Sequence, residues 1–299
     1  MILVAGSANL DFVVRTPHIP APGETVLGGE FRTYPGGKGA NQAVACALAG
    51  GAETEMLLAL GNDAFAAPIE QSLRVAGVRA HVVRVSDVST GAAFICVADD
   101  AQNAITVAPG ANYTLRPSHL PPLDGVTHLL LQLEIPLETL VAYAQVARAR
   151  GITVVLNAAP ARALPSELLA ALDVLVVNET ELALISGDAG EIERGLARID
   201  VPSVVATLGE NGCCARIGHE LIRQPAFPVT AVDTTAAGDT FCGVLVAGLS
   251  RDLGMAGALR QASAAAALAC TRAGAQSSIP THRELQSFLR QHAAVAQRA

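Results

Sequence analysis

The chain has 299 residues, of which 51% are apolar, carries a formal net charge of −7 and contains no tryptophan. The negative charge argues against a nucleic-acid or acidic-membrane partner, because both require a basic surface, although an anionic ligand can still bind in a local cradle of donors. The length suits one large α/β domain with a small appendage, and the scarcity of aromatics favours helices packed closely on a parallel sheet.

Six cysteines are present, and their spacing shows no C-x-x-C pair and no pattern typical of zinc ligands. They are Cys46, Cys96, Cys213, Cys214, Cys242 and Cys270. We interpret them as buried thiols in a reducing compartment. We expect a cytoplasmic protein, because the amino-terminal segment lacks the basic region of a signal peptide and no apolar run reaches the roughly 20 residues that span a bilayer.

The first third of the chain predicts two core strands, at 1–6 and 55–61, with a helix of about 39–49 between them. The segments at roughly 11–35 and 84–108 instead alternate short β-like runs with turn clusters. We expect these two segments to form a small second sheet that acts as a lid over the main one.

From about residue 126, short apolar strands alternate with helical segments. The strands are predicted at 127–134, 152–157, 173–178 and 203–209, and the helices at 136–149, 165–171, 179–185, 239–249, 255–272 and 282–296. Such alternation indicates right-handed crossovers and a parallel sheet covered on both faces. No Pro/Ser-rich linker divides the chain, so residues 1–299 are expected to form a single domain.

A glycine-rich segment, GGKGANQ at 36–42, contains Lys38, the one lysine of the chain. It is not a Walker A phosphate loop, because Arg32 stands where the first glycine is required and Gly39 follows the lysine. The glycines allow close backbone approach to a ligand, and Asn41 at the start of a helix can meet hydroxyl groups. A planar guanidinium would crowd this turn, so the ammonium indicates a functional lysine, with an accident of composition as the alternative.

The segment VDTTAAGDTFCG, at 232–243, leads into an apolar helix that we predict to begin near Thr240. The small residues 236–238 leave backbone N–H groups free at the positive end of this helix, which makes an anion site. Asp239 is then either a helix N-cap or a general base that takes a hydroxyl proton while the amides hold a phosphoryl group. Asp233 is available to help hold a cation.

Polar residues follow the predicted strands near the amino end and at the middle of the chain. Asn9 and Asp11 point the same way along extended backbone, which suits the hydroxyl groups of a sugar, or else they form a turn after the first strand. Glu134 ends a later strand, at the edge where ligands bind in open α/β sheets. We therefore regard all three as candidate sugar ligands.

Two further strand ends have the composition of a nucleotide site. Asn178 and Glu181 follow one strand and can approach a hydrated Mg²⁺, which prefers oxygen ligands and keeps several waters. The segment 206–212 follows another strand and contains two glycines, as expected where backbone approaches a nucleotide. Either feature alone could be ordinary loop chemistry, but their placement at successive strand ends favours one shared site.

Together these segments resemble the phosphofructokinase-B type of sugar kinases almost from end to end. Both family signatures are present, as GGKGANQA near the amino end and VDTTAAGDTFCG near the carboxyl end. The segments QLEIPLET, NAAPARALPSELL, VNETE, TLGENG and TRAGAQSSIP are similar to those of the ribokinases within the family. The resemblance implies a Rossmann-like three-layer α/β core with a mostly parallel central sheet, a small β-sheet lid that often forms a dimer interface, and ATP-dependent phosphorylation of the 5-hydroxyl of D-ribose.

The resemblance also implies a role for individual residues. It implies a sugar site of Asn9, Asp11, Gly37, Lys38, Asn41, Glu134 and Asp239, with Asp239 as the catalytic base and Ala236, Ala237 and Gly238 as an anion hole. It implies a nucleotide site of Asn178, Thr207, Leu208, Gly209, Glu210, Asn211, Gly212, Gly238, Asp239 and Ser263, with Glu181 linked through water to Mg²⁺. It implies an activating K⁺ site of Asp233, Thr235, Ala269, Arg272, Gly274 and Ser278. Ser263 departs from the His or Asn that the family often presents near adenine, which affects the expected base selectivity.

Two other functions remain compatible with the same residues. The first is a kinase of this fold for another sugar, such as deoxyribose or fructose, or for a nucleoside, since selectivity depends on which buried polar groups a substrate leaves unpaired. The second is a non-catalytic sugar sensor. The intact Ala-Ala-Gly-Asp segment argues against a sensor, because a pure binder has no need of a base beside an anion hole.

Overall fold

The strands of the chain form two separate sheets in the computed structural model, which describes residues 1–100 and 102–296. Ala101, within the expected lid segment, and residues 297–299, at the end of the expected single domain, lie outside the described residues. Side chains are described as far as residue 292. Within these ranges, none of the helices combines the length and apolarity needed to cross a bilayer.

The large sheet has nine strands. They are β1 (Ile2–Ala5), β4 (Thr54–Gly61), β5 (Arg79–Val85), β8 (His128–Gln132), β9 (Thr153–Asn157), β10 (Val174–Asn178), β11 (Ser203–Thr207), β12 (Cys213–Ile217) and β13 (Glu220–Gln224). Their order is β13-β12-β11-β10-β9-β8-β1-β4-β5. All neighbours from β11 to β5 pair in parallel, and β12 and β13 add antiparallel strands at one edge.

Helices cover both faces of this sheet. They are α1 (Lys38–Val44), α2 (Ala66–Val75), α3 (Leu137–Ala149), α4 (Ser166–Leu169), α5 (Glu179–Ser186), α6 (Ile192–Ala197), α7 (Ala237–Leu249), α8 (Gly254–Cys270) and α9 (His282–Ala296). Buried side chains of α1, α2, α7, α8 and α9 form one apolar core, and those of α3, α4, α5 and α6 form the other. This is the predicted three-layer arrangement, because strands buried on both faces need a helical layer on each side.

The small sheet has four strands: β2 (Asn9–Thr16), β3 (Phe31–Gly36), β6 (Gly91–Ala98) and β7 (Asn103–Ala108). Their order is β3-β2-β6-β7, with β2 and β6 parallel and the two outer pairs antiparallel. Every residue of the edge strand β7 is exposed. The small sheet therefore has one strand with neither face covered by the rest of the chain.

Several boundaries differ from those predicted from the sequence. The expected lid boundary at residue 84 falls inside β5, which pairs with β4 in the large sheet because its residues continue the parallel register. β8 ends at Gln132, so Glu134 lies two residues beyond the strand. The predicted helix at 39–49 is α-helical to Val44 and continues as a π-helical segment, Ala45–Ala49.

Candidate active site

Asp239 lies at the start of a helix, and its carboxylate is held by two carboxamides. It is the third residue of α7 and is 8% exposed. Its Oδ2 atom accepts a hydrogen bond from Nδ2 of Asn41 at 2.9 Å, and its Oδ1 atom accepts one from Nε2 of Gln42 at 2.9 Å. The interpretation as an N-cap is wrong, since Ala236 occupies the cap position of α7 and Asp239 lies three residues further on. The helix begins three residues before the predicted start at Thr240.

Backbone N–H groups at this helix start point to an anion site, with one change from the predicted set. Ala236 has a left-handed backbone, with φ of 57°, which turns the chain into α7. The N–H of Ala237 donates to the carbonyl oxygen of Thr234 at 3.2 Å, and Ala237 does not line the cleft. Within the described chain, the N–H groups of Ala236, Gly238 and Asp239 have no acceptor, and all three residues line the cleft. Unpaired amides at a helix start favour an anion, so Ala237 is replaced by Asp239 as a donor.

A cleft of about 200 Å³ opens in front of Asp239. It is lined by Lys38, Asn157, Ala159, Val176, Asn178, Glu181, Thr207, Ala236, Gly238, Asp239 and Cys242. These residues come from the carboxyl ends of β9, β10 and β11 and from the starts of α1, α5 and α7. The cleft therefore brings Lys38 and Asp239 of the predicted sugar residues together with Asn178, Thr207 and Gly238 of the predicted nucleotide residues, at the edge of the large sheet where α/β folds bind ligands. The other predicted sugar residues, the loop from Leu208 to Gly212 and Ser263 do not line it.

The strand β2 carries the two candidate sugar ligands Asn9 and Asp11, which point to one face of the small sheet. Oδ1 of Asn9 accepts a hydrogen bond from Nδ2 of Asn112 at 2.8 Å, so the donor end of Asn9 is left for a ligand. The backbone of Gly37 packs closely against Asn9. Gly37 has φ of 88°, and a Cβ atom added to it would lie 2.7 Å from the backbone nitrogen of Asn9. The alternative of a turn at Asn9 and Asp11 is wrong, since both residues lie within a strand.

Carboxylates crowd the sugar side of the site. Burial first, and then the neighbouring charges of Glu134 and Asp239, raise the pKa of Asp11 to about 7. Oε2 of Glu134 accepts hydrogen bonds from Oγ of Ser7 at 2.5 Å and from the backbone nitrogen of Lys38 at 3.2 Å. A set of buried acceptors is the arrangement that hydroxyl donors of a sugar would complete.

The ammonium of Lys38 offsets this negative charge. Burial lowers the pKa of Lys38, but the attraction of Asp239, Glu134 and Glu181 outweighs burial, so the pKa lies above its ordinary value. Among the residues described, no carboxylate oxygen lies within 4.0 Å of this ammonium. Lys38 is thus a charged group on the wall of the cleft, with its donors available to a ligand.

Asn178 and Glu181 form a reciprocal cap at the start of α5. Oδ1 of Asn178 accepts from the backbone nitrogen of Glu181 at 2.8 Å, and Oε2 of Glu181 accepts from the backbone nitrogen of Asn178 at 2.8 Å. Burial raises the pKa of Glu181, against the opposing effects of the Asn178 hydrogen bond and of Lys38. Glu181 therefore faces the cleft with one carboxylate oxygen engaged in the cap and the other available.

The loop after β11 contains the predicted nucleotide residues Thr207 to Gly212. It forms a tight turn in which the N–H of Leu208 donates to the carbonyl of Gly212 at 2.8 Å. Gly209 and Gly212 both have positive φ, at 55° and 89°. A second cavity, of about 350 Å³, lies under this loop and is lined partly by Leu208, Asn211 and Cys213. Oγ of Ser263 lies 3.7 Å from Sγ of Cys213, so Ser263 is buried beside the strand that follows the loop.

Known proteins are similar to this chain in both sequence and fold. The model of the pfkB family carbohydrate kinases matches residues 1–282. The chain belongs to the pfkB family of carbohydrate kinases. The ribokinase of Haemophilus influenzae is 38% identical over 96% of this chain and 98% of its own length. The solved structure of Thermotoga maritima ribokinase has a TM-score of 0.90 and 37% identity, and the match covers 97% of this chain and 99% of that one.

A third relative was solved with its ligands. The structure of Arabidopsis thaliana ribokinase complexed with ribose and ATP has a TM-score of 0.88 and 31% identity, with coverage of 96% of this chain and 98% of that one. The predicted family, the three-layer α/β fold and the assignment as a kinase are thereby confirmed.

In this carbohydrate kinase, hydrogen bonds to Asp233 hold together the loop that is predicted to bind a monovalent cation. Oδ1 of Asp233 accepts from the backbone nitrogen and the hydroxyl of Thr235, at 2.9 and 2.6 Å. Oδ2 accepts from the backbone nitrogen of Gly274 at 2.8 Å. Burial raises the pKa of Asp233, but these hydrogen bonds outweigh it and the net pKa is lowered. Of the other predicted members, Ala269 lies at the end of α8, its carbonyl accepts from the N–H of Arg272 at 3.1 Å, and Ser278 is buried.

Four polar residues of the site were not predicted from the sequence. They are Ser7, Gln42, Asn112 and Asn157, and all four are buried. Gln42 and Asn157 lie within the quoted segments GGKGANQ and NAAPARALPSELL, and Ser7 lies two residues before Asn9, so their position was an available signal. Asn112 is brought to the site only by the folding of a distant segment. Gln42 and Asn157 are hydrogen-bonded to each other at 3.0 Å, directly behind Asp239.

Proposed function

We propose that this carbohydrate kinase is a ribokinase that transfers the γ-phosphoryl group of ATP to the 5-hydroxyl of D-ribose. The observation that supports this most strongly is the pairing of a buried carboxylate, Asp239, with unbonded backbone amides at the same helix start. The carboxylate can take the hydroxyl proton, and the amides can hold the charge that develops on the phosphoryl group. A sugar sensor would need neither.

Ribose is the substrate that fits the donors and acceptors beside that carboxylate. Asn9, Asp11, Asn41 and Glu134 offer a small polar site without a large aromatic surface for a base. Oδ1 of Asn41 is buried without a hydrogen-bond partner in the described residues, so it is a ready acceptor for a sugar hydroxyl. The relatives named above, including the one solved with ribose and ATP, support the same substrate.

In the proposed reaction the sugar hydroxyl loses its proton to Asp239 as its oxygen attacks the γ-phosphorus, and the bond to the β-phosphate oxygen breaks to release ADP. The amides of Ala236, Gly238 and Asp239 and the ammonium of Lys38 stabilise the equatorial oxygens of the group in transfer. Thr207 to Gly212, Asn178 and Ser263 bind the nucleotide in this proposal, with the glycine turn allowing the loop to approach it.

Two cations belong to the proposal. Glu181 and Asn178 fit Mg²⁺ held through water, because Glu181 presents a cleft-facing carboxylate oxygen; the ion would neutralise phosphate charge. Asp233 and Thr235 with carbonyl oxygens near Ala269, Arg272, Gly274 and Ser278 fit K⁺, since one carboxylate and several carbonyl dipoles suit a weakly charged ion. Within the described chain no cluster of three or more His, Cys, Asp or Glu residues forms a metal site, in keeping with cations held largely by water and backbone.

We further propose a homodimer formed through the lid, and a cytoplasmic location. Large apolar side chains are exposed on both faces of the small sheet, among them Phe94 at 54% and Ile105 at 56%. Val107 lies in the same cross-strand row as Asp11, so a second copy covering that face would also cover the sugar site. All six cysteines are free thiols, which supports a reducing compartment.

A coupled assay of ADP formation with a panel of ribose, 2-deoxyribose, fructose and a nucleoside tests the proposed function. We expect the highest kcat/KM for ribose, and a 5-phosphate product by ³¹P nuclear magnetic resonance. A higher kcat/KM for another member of the panel would reassign the substrate. Ribose binding without any ADP formation would instead indicate a sensor.

A further inference from the structure

Gln42 is a buried side chain that contacts the carboxylate of Asp239 without contacting the cleft. Its Nε2 group donates to Oδ1 of Asp239 at 2.9 Å and to Oδ1 of Asn157 at 3.0 Å. Its Oε1 atom accepts from Nε2 of Gln132 at 2.7 Å. Gln42 and Gln132 are both fully buried, and neither lines the cleft. Any effect of Gln42 on the reaction must therefore pass through Asp239 or Asn157.

The direction of this chain of amides is fixed at its carboxylate end. An ionised carboxylate only accepts hydrogen bonds, so the NH₂ group of Gln42 must face Asp239 and its carbonyl must face Gln132. The NH₂ group of Gln132 then faces Gln42, and its Oε1 atom is buried without a partner in the described residues. An unpaired buried oxygen destabilises a fold. The chain of amides is thus oriented so that it supplies donors to Asp239, while Oε1 of Gln132 at its other end stays unpaired.

Close helix packing holds this arrangement in place. An added Cβ atom at Gly243 of α7 would lie 2.6 Å from the backbone oxygen of Gln42, so the two helices approach to backbone contact. At that separation the consecutive residues Asn41 and Gln42 reach opposite oxygens of one carboxylate. The rotation of the Asp239 carboxylate is therefore fixed from both sides.

We propose that Gln42 is a positioning residue for the phosphoryl transfer. It fixes the carboxylate plane of Asp239 so that Oδ2 is presented to the sugar hydroxyl, and it ties that plane to Asn157 on the wall of the cleft. Gln132 sets the orientation of the Gln42 amide. The inference rests on the proposed role of Asp239 as the general base, but not on ribose as the particular sugar.

The donors from Gln42 also oppose the negative surroundings of Asp239. Asp239 acts electrostatically on Asp11 on β2, Lys38 on α1 and Cys242 on α7, and the carboxylates of Glu134 after β8 and Glu181 on α5 act on the same Lys38. A carboxylate among like charges holds its proton more strongly when it loses an N–H donor. Removal of Gln42 should therefore move the acid limb of the pH–rate profile to higher pH.

Kinetics of Gln42→Met test the proposal, because methionine keeps the length of the side chain and removes its hydrogen bonds. We expect kcat to fall roughly 10- to 100-fold, part of the contribution of a general base, with the dissociation constant of the sugar within about twofold of wild type. The acid limb of kcat/KM should shift to higher pH than in the wild type, because the carboxylate loses an N–H donor. Tyr143→Phe, which removes another buried hydrogen bond, from the Tyr143 hydroxyl to the Arg116 carbonyl, is the matched control and should change neither quantity.

Gln132→Met and a double variant keep the proposal testable if Gln42→Met folds poorly. Gln132→Met leaves the bond between Gln42 and Asp239 and should lower kcat by a smaller factor, with the same direction of pH shift. Gln42→Met added to Asp239→Asn should cause no further loss, since both changes act on one group. Wild-type kcat and an unshifted profile in Gln42→Met, or a full additional loss in the double variant, would overturn the proposal.

The outcomes also separate this inference from the proposed function. The wild-type enzyme is first assayed on the sugar panel, and the variants are then assayed on whichever sugar it phosphorylates. If the wild-type enzyme prefers another sugar, kcat and the pH–rate profile of Gln42→Met on that sugar decide the role of Gln42 in the same way. Normal ribose phosphorylation with no effect of Gln42→Met overturns the inference and leaves the ribokinase proposal intact.

Discussion

Nδ2 of Asn41 donates to Oδ2 of Asp239 at 2.9 Å, while Oδ1 of the same Asn41 is buried and unpaired within the described chain. One amide thus joins the base to the place where a hydroxyl would bind. Its donor end is committed to the carboxylate, and its acceptor end faces away. A sugar hydroxyl that donates to Oδ1 of Asn41 would lie next to the carboxylate of Asp239. In the proposed reaction that carboxylate takes the proton of a neighbouring hydroxyl of the same sugar.

We expect Asp239→Asn to reduce kcat about 10²- to 10⁴-fold, the usual contribution of a general base, with sugar affinity changed much less. An amide cannot take the proton, and its NH₂ group would meet the donors of Asn41 or Gln42. Calorimetric titration with ribose and the coupled ADP assay measure the two quantities. Near-wild-type turnover would remove Asp239 from the role of base.

We expect Lys38→Arg to lower kcat about tenfold or more while the protein remains folded. Lys38 lines the cleft, and its compact ammonium can turn its donors toward a ligand there, whereas a planar guanidinium on a longer side chain would place its donors elsewhere. Thermal unfolding monitored by circular dichroism provides the folding control. Unchanged kinetics would mean that the one lysine of the chain stands there by accident of composition.

Asp11 should make the protein less stable as the pH rises. Its pKa is about 7 in the folded protein and 3.8 in the unfolded chain, so between these values the folded state binds the extra proton. The free energy of unfolding therefore falls from about pH 4 to pH 7, by a few kcal/mol at most, and stays low above pH 7. Asp11→Asn should flatten this dependence in urea titrations, raise stability at pH 8 and weaken sugar binding.

Asp188→Asn is the matched control for that measurement. Hydrogen bonds from Arg194 lower the pKa of Asp188 to about 2, so its contribution to stability is lost only as the pH falls below about 4. Between pH 5 and 8 this variant should retain the wild-type slope. An unchanged slope in Asp11→Asn would contradict the assignment of the titration to Asp11.

The proposed dimer through the lid predicts that Ile105→Glu yields a monomer. Burial of an unpaired charge destabilises an apolar contact by more free energy than the contact contributes. Analytical ultracentrifugation measures the oligomeric state, and the coupled assay should show a higher KM for the sugar. Val146→Glu, at an exposed apolar position on α3, is the control and should leave the oligomeric state unchanged. A monomeric wild-type protein would reject the proposed dimer.

The cation loop predicts faster turnover in potassium than in sodium buffer, and loss of that difference in Asp233→Asn. The carboxylate of Asp233 joins the turn at Thr235 to Gly274, and Thr235 directly precedes Ala236, the first of the unpaired amides at the start of α7. Initial rates at matched ionic strength provide the measurement. Equal rates in the two salts would count against the site.

The sequence predicted the large sheet, its helices and the residues at its strand ends, because alternating apolar strands and helices carry a strong local pattern. It missed the helices α2 and α6, the place of β5 in the large sheet and the β12–β13 hairpin. Apart from α2, these elements are only five to seven residues long and carry a weaker local pattern. Asn112 was missed for a similar reason, since it reaches Asn9 across 103 residues of chain. That the N–H of Ala237 is already bonded to the carbonyl of Thr234 could not be predicted, because a motif does not show which amide a turn has already used.

The sugar ligands and the base belong to different parts of the fold. Asn9 and Asp11 are on a strand of the small sheet, whereas Asp239 is on α7, a helix in backbone contact with α1 in the layer that covers the large sheet. A hinge motion of the small sheet would carry the acceptor toward or away from a stationary phosphate donor. ATP would then meet a well-aligned nucleophile only when that sheet is closed over a bound sugar, which protects the nucleotide from futile hydrolysis by water.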